Sequence, residues 1–302
     1  MTSALGPALI STLNTSDYEE CLSAYCKHLQ QRVHLETQLS AIEAESWGAP
    51  HLRGNRVAWL ENELGEPWLR IIEDLSAKSL DPFSRYGWFS LEICVEDVDA
   101  IHRNLRNSSF KIIGPPADLD VSPDIRAMQV MGPSNEILYL TQIKASVSGF
   151  DLPFARCSVD RLFIPVLLAE NRERALNTYT AFPLTTAMSF ETKITVLNRY
   201  YEFPAQKRYP VATIQLSGKN LIEIDEVIGL ESMTGATQLQ NEGITIMTFA
   251  LRDFYELTDP SERYKILSGP YVGKSAILIR GSSNENIELM ESDYKIEQEA
   301  QR

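Results

Sequence analysis

Apolar and polar residues alternate along "WFSLEICVED" (88–97), sending Phe89, Leu91, Ile93 and Val95 to one face and Ser90, Glu92 and Cys94 to the other. This pattern predicts a half-buried strand. The spacing changes in "VDAIHRNLRN" (98–107), where Val98, Ile101 and Leu105 recur at helical intervals. Three short apolar runs follow, "FKIIGP" (110–115), "AMQVMGP" (127–133) and "ILYLTQI" (137–143), the last two forming a predicted hairpin across "GPSNE". The predicted unit is βαβββ.

The same patterns return about 150 residues later. "GPSNEILYL" (132–140) is matched by "GSSNENIELM" (281–290), "FKIIGP" by "YKILSGP" (264–270), and "ICVEDVDAI" (93–101) by "FALRDFYEL" (249–257). Upstream, "YEECLSAY" (18–25) matches "RERALNTY" (172–179), and "GEPWLRIIED" (65–74) matches "GKNLIEIDEV" (218–227). The chain is thus an internal duplication of a two-module half. Four modules are predicted, at about 7–75, 86–143, 159–227 and 243–292. They divide into an N-terminal domain (1–143), an aperiodic linker, "KASVSGFDLPFARCS" (144–158), a C-terminal domain (159–292) and a tail (293–302). "GPP" (114–116) and "SGP" (268–270) read as turns rather than phosphate cradles, since no Gly-rich nucleotide motif accompanies them.

Composition narrows the partners. With 302 residues, 44% of them apolar, two cores can be filled. A formal net charge of −13 and the lack of a basic run argue against nucleic acid. No apolar run is long enough for a membrane span, and "ALGPALISTL" lacks the basic start and cleavage site of a secretion signal, so a cytoplasmic location is expected. Cys21, Cys26, Cys94 and Cys157 have no metal-knuckle spacing. The duplication lets one chain close both module pairs, so a monomer or a homodimer is expected.

Four βαβββ modules in two pairs, each pair ending in Gly-x-x-x-Glu and a short apolar strand, resemble the vicinal oxygen chelate superfamily of glyoxalase I, extradiol dioxygenases and bleomycin-binding proteins. The resemblance implies an α+β fold in which paired modules curl into open, incomplete β-barrels with a ligand in each cup. It also implies that metal ligands, usually His and Glu, stand on the first and last strands of each module. Those positions fall near Ile10, Ser90, Arg161 and Ile246 on first strands, and near Arg70, Tyr139, Glu223 and Glu288 on last strands. Only two of the eight are carboxylates. The four histidines (His28, His34, His51, His102) lie elsewhere, and guanidinium groups at Arg70 and Arg161 disfavour a divalent cation on charge grounds. The expectation is therefore a cup without metal or other cofactor.

The N-terminal cup is expected to hold Arg70, Ser90, Glu92 and Tyr139, with Gln129 joining if its register is right. Glu92 would be a general base, Tyr139 a hydrogen-bond donor to a developing oxyanion, and Arg70 an anchor for an anionic group; the alternative is a structural Arg70–Glu92 pair. The C-terminal cup is expected to hold Arg161, Glu223 and Glu288 as an ionic triad, with Asn198 or Arg199 beside it. The aromatic segments "RYYEF" and "RYGWF" are candidate pocket walls. Two function classes follow: a metal-independent lyase or isomerase acting on a small carbonyl or ring compound, and a protein that sequesters an apolar or aromatic molecule carrying a polar group. A dioxygenase or glyoxalase with an atypical metal site is a third.

Overall fold

The computed structural model describes residues 3–120 and 122–292, so the predicted tail (293–302) lies outside the described residues. Module 1 comprises β1 (Leu5–Thr15), α1 (Tyr18–His28), β2 (Arg32–Gln38), α2 (Ala41–Ser46), β3 (Arg56–Glu61) and β4 (Pro67–Glu73). Module 2 comprises β5 (Gly87–Val95), α3 (Val98–Leu105), β6 (Lys111–Leu119), β7 (Ser122–Met131) and β8 (Ile137–Ile143). Module 3 follows as β9 (Val159–Ala169), α4 (Arg172–Thr180), β10 (Thr186–Thr192), α5 (Thr195–Tyr200), β11 (Tyr209–Leu216) and β12 (Asn220–Glu226). After a short α6 (Gly235–Gln238), module 4 has β13 (Gly243–Leu251), a one-turn α7 (Phe254–Leu257), β14 (Tyr264–Lys265), β15 (Ser275–Arg280) and β16 (Asn286–Glu291). The α+β architecture of four βαβββ modules is as the repeat predicts. "GPP" is not a turn: β6 runs through it, with register shifts on both sides of Gly114 absorbing the two prolines.

The pairing of the modules differs from their order in the chain. One eight-stranded sheet has the order β14-β15-β16-β13-β1-β4-β3-β2, and the other β10-β11-β12-β9-β5-β8-β7-β6. Module 1 therefore shares a sheet with module 4, and module 2 with module 3. The seams are antiparallel: β1 lies against β13 and β5 against β9. Sequence reading had joined neighbours in the chain, because a repeat reveals which segments are alike and not which share hydrogen bonds. Each cup is thus built from both halves of the duplication.

The doubled phrase explains what joins the sheets. Asn135 and Asn284 sit at φ 63 and 62, the left-handed conformation that Asn tolerates at a turn. The following glutamates fold back under their turns, Glu136 accepting from the Ser134 backbone N–H at 2.9 Å and Glu285 from that of Ser283 at 2.8 Å. A Cβ on Gly132 or Gly281 would stand 1.9 or 1.8 Å from those carboxylates, so a side chain there would push the glutamate out of its turn. Tyr25 of α1 donates to Glu136, and Tyr179 of α4 donates to Glu285, each at 2.9 Å. Both clasps are buried, and each ties a module to the next one in sequence, which lies in the other sheet. Burial pushes Glu136 up to about 7 and Glu285 in the same direction.

The linker is also structural. Arg156 is bound to Asp160 at 2.6 and 2.9 Å and to Glu66 of module 1 at 2.7 Å, while Phe150 and Leu152 turn inward against module 3. Among the described residues no helix is long and apolar enough to cross a membrane. The largest core lies between the sheets and includes residues of α1, α3 and α4; two smaller cores occupy the cups.

Candidate functional site

Topology redistributes the expected residues between two unlike cups. In the first, formed by modules 1 and 4, register places Arg70 beside Thr12 and Trp59, and Glu288 beside Thr248 and Leu278. Arg70 and Glu288 are each 1% exposed and meet at 3.3 Å. Arg70 Nε donates to Thr12 at 3.0 Å. Glu288 accepts from Thr248 at 2.6 Å, Tyr264 at 2.5 Å and Trp47 Nε1 at 3.1 Å. The guanidinium carbon lies 4.4 Å from the centroid of Trp47 and 5.1 Å from that of Trp59. The two charges meet each other, and Thr12, Thr248, Tyr264 and the Trp47 indole take up their hydrogen bonds, as a buried ion pair requires. Leu39, Ala49, Ile246, Ile266 and Met290 pack around this group. The first cup is a filled core.

The second cup, formed by modules 2 and 3, encloses a cavity of ≈ 190 Å³. Period-two strand geometry brings a polar row to its floor. Thr213 on β11 stands opposite Glu223 on β12; beyond β9, Glu92 on β5 stands opposite Tyr139 on β8, which in turn faces Gln129 on β7. β9 contributes Ile164 between the two glutamates. The walls are Phe150, Leu152, Phe163, Phe190, Val196 and Leu221. At the rim stand Lys193, which pairs with Asp120 at 2.7 Å, and the exposed Arg199, which donates to the Ile113 carbonyl at 3.4 Å.

This floor carries the carboxyl groups of Glu92 and Glu223, with Asp225 hydrogen-bonded behind Glu223, and among the described residues no cation pairs with any of the three. Removal from water, followed by the neighbouring Glu223, pushes Glu92 from an ordinary 4.5 up to about 8, although the Thr141 hydroxyl at 3.0 Å opposes the shift. Burial raises Glu223 to about 7, and Asp225 behind it is raised by burial and by both glutamates. The protons belong to the cluster rather than to single residues. Burial and the same carboxylates raise Tyr139, so its phenol stays a donor. Among the described residues no hydrogen bond takes up the Tyr139 hydroxyl, the Gln129 amide or the Thr213 hydroxyl, leaving them to the cavity.

Of the expected site, Glu92, Tyr139, Gln129 and Glu223 are thus brought together, with Thr141 and Arg199. Arg70 and Glu288 are not among them: they form the closed pair of the other cup. The expected Arg161–Glu223–Glu288 triad does not exist, since Glu288 belongs to the other sheet and Arg161 is no part of the cavity wall. Ser90 is fully buried with its hydroxyl unsatisfied, outside the wall. Asn198 accepts from Tyr209 at 2.9 Å and donates to the Lys207 carbonyl at 3.0 Å, a strut between α5 and β11. Of "RYYEF", Tyr200 stacks on Phe83 with ring centroids 4.1 Å apart instead of facing the cavity. Sequence reading missed Asp225, whose signal was its place two residues beyond Glu223 on the same strand face, and the linker's Phe150 and Leu152.

The residues do not fit the metal site that the resemblance implies. The row holds two glutamates, a phenol and an aliphatic side chain without imidazole, and among the described residues no group of three or more His, Cys, Asp or Glu is arranged to hold a metal ion.

No protein-family model and no curated protein matches the sequence. Solved structures do. Glyoxalase I from Zea mays superimposes with a TM-score of 0.61 at 11% identity, covering 94% of this chain and 92% of that one. The fold is that of glyoxalase I. A putative dioxygenase from Bacillus subtilis subsp. subtilis str. 168 gives a TM-score of 0.62 at 10% identity, covering 97% of this chain and 87% of that one. At such identities the likeness is one of fold, which hosts several chemistries.

Proposed function

We propose that the second cup is the active site of a small-molecule enzyme that moves protons with carboxyl groups, a lyase or isomerase acting beside a carbonyl. The observation that carries this reading is the polar row of Glu92, Tyr139 and Gln129 in an apolar cavity of ≈ 190 Å³. A carboxyl raised to about 8 is a stronger base than an ordinary glutamate, and near neutral pH it exchanges protons in either direction. Glu92 would take a proton from carbon while the Tyr139 hydroxyl and the Gln129 amide donate to the oxygen that gains charge. Thr141 holds Glu92 in place at 3.0 Å. Phe163, Phe190 and Leu152 exclude water from the transfer.

Proton exchange at carbon is the step common to every substrate of this class, so it serves as the test. The protein is incubated in deuterium oxide with a panel of small ketones, aldehydes and oxo acids, and loss of C–H signals is followed by proton NMR. Exchange that disappears in Glu92→Gln supports the reading. A second reading, sequestration without turnover, is favoured by the enclosing aromatic walls; bound compounds that never exchange or react would establish it instead. Stoichiometric metal in protein purified without chelators would overturn the metal-free assignment.

A further inference from the structure

The two glutamates of the second cup stand on either side of β9 and have different neighbours. Glu92 is beside Tyr139 and Gln129, which donate to oxygen, whereas Glu223 is beside Thr213 and Asp225. β9 separates their strands, so the two backbones are roughly 10 Å apart at ~4.8 Å per strand. Glu223 lines the cavity with Asp225 hydrogen-bonded behind it, and with no cation beside either carboxyl group this side of the apolar cavity lacks a positive charge. A second observation points to a ligand there: the Thr213 side chain, 4% exposed, lines the cavity with no hydrogen-bond partner among the described residues. The nearest protein cations do not fill the place, because Lys193 is held by Asp120 and Arg199 stands exposed at the rim. The net charge of −13 would favour the approach of a cation.

We infer that the cavity takes an amine: a compact apolar or aromatic molecule whose cationic nitrogen lies on the Glu223–Asp225 side, with its reacting atoms beneath Glu92. This rests on Glu92 being the acid and base. The nitrogen donates to Glu223 and the Thr213 hydroxyl, while Phe163, Phe190 and Leu221 surround the body. An ammonium ion there holds the carboxyl groups ionised, so binding releases protons and strengthens as pH rises. The other titratable or charged groups facing Glu223 and Asp225 are Glu92 on β5, Tyr139 on β8 and Tyr209 on β11, with Lys193, Arg199, Asp118 and Asp120 at the rim.

Titration calorimetry with benzylamine, benzyl alcohol and benzoate, at about pH 6 and about pH 8.5, tests the inference. Benzylamine is expected to bind about ten-fold tighter than the alcohol at the higher pH, the value of one charge-assisted hydrogen bond. The preference should shrink at the lower pH and disappear in Glu223→Gln. Equal binding of the alcohol or benzoate, unchanged benzylamine binding in Glu223→Gln, or binding of none of the three would overturn it. Exchange in deuterium oxide reads Glu92 separately, so the acid–base reading and the amine assignment can fail independently.

Discussion

The two cups are built from the same modules, yet one is packed shut and the other is open. The difference is concentrated at one position. After α2, Trp47 turns into the first cup, donates to Glu288 and lies against Arg70. After the equivalent α5, Tyr201 packs at the margin of the second cup's core and donates to the Phe83 carbonyl, outside the cavity wall, so no side chain from this position fills the second cup. The charges follow the same division. The first cup pairs a guanidinium with its carboxylate, whereas the second gathers carboxyl groups without a cation and raises their proton affinity. A duplicated fold can thus devote one cup to stability and leave the other for chemistry.

The sharpest way to break this comparison is to neutralise one glutamate in each cup. Glu92→Gln should slow carbon-bound proton exchange by about 10²–10⁴-fold, the usual contribution of a general base. Glu288→Gln, provided circular dichroism shows it folded, should leave exchange unchanged. Urea unfolding should give contrasting results. Glu288→Gln leaves Arg70 buried without its partner and should cost about 3–5 kcal/mol, whereas Glu223→Gln, measured above pH 7, should be neutral or stabilising. Comparable losses from both would end the distinction between the cups.

Stability against pH sharpens the same point. Glu92 and Glu223 have folded values of about 8 and about 7, above the ordinary 4.5, so the folded protein binds more protons than the unfolded chain between about pH 4.5 and 8. Stability should therefore fall as pH rises through that window, and Glu136 adds to the slope below about 7. The double variant Glu92→Gln, Glu223→Gln should flatten the melting-temperature curve; an unchanged slope would refute the raised proton affinity. The smallest expected effects belong to the clasps. Tyr25→Phe and Tyr179→Phe each remove one buried hydrogen bond and should cost a similar ~1–3 kcal/mol, read from urea midpoints.

Periodicity in the sequence identified the four modules, the α3 helix and the shared cup of Glu92 and Tyr139, because those depend on local alternation. It could not reveal which modules share a sheet, since pairing across β1–β13 and β5–β9 depends on contacts between distant segments. That one fact moved Arg70 away from Glu92 and separated Glu288 from Glu223. It also hid the real walls of the cavity: Phe150 and Leu152 come from a stretch without periodicity, which read as linker. The doubled phrase was legible as a repeat, but the role of its turn glutamates, Glu136 and Glu285, as acceptors of Tyr25 and Tyr179 depends on contacts between distant segments that no local pattern carries.

The central claim, one closed cup and one receptive cup, is tested most directly by a crystal structure of the protein soaked with benzylamine. Electron density for the amine is expected between Glu92 and Glu223, with Trp47 still seated on Arg70. Density in the first cup, with Trp47 displaced and the second cup empty, would contradict it.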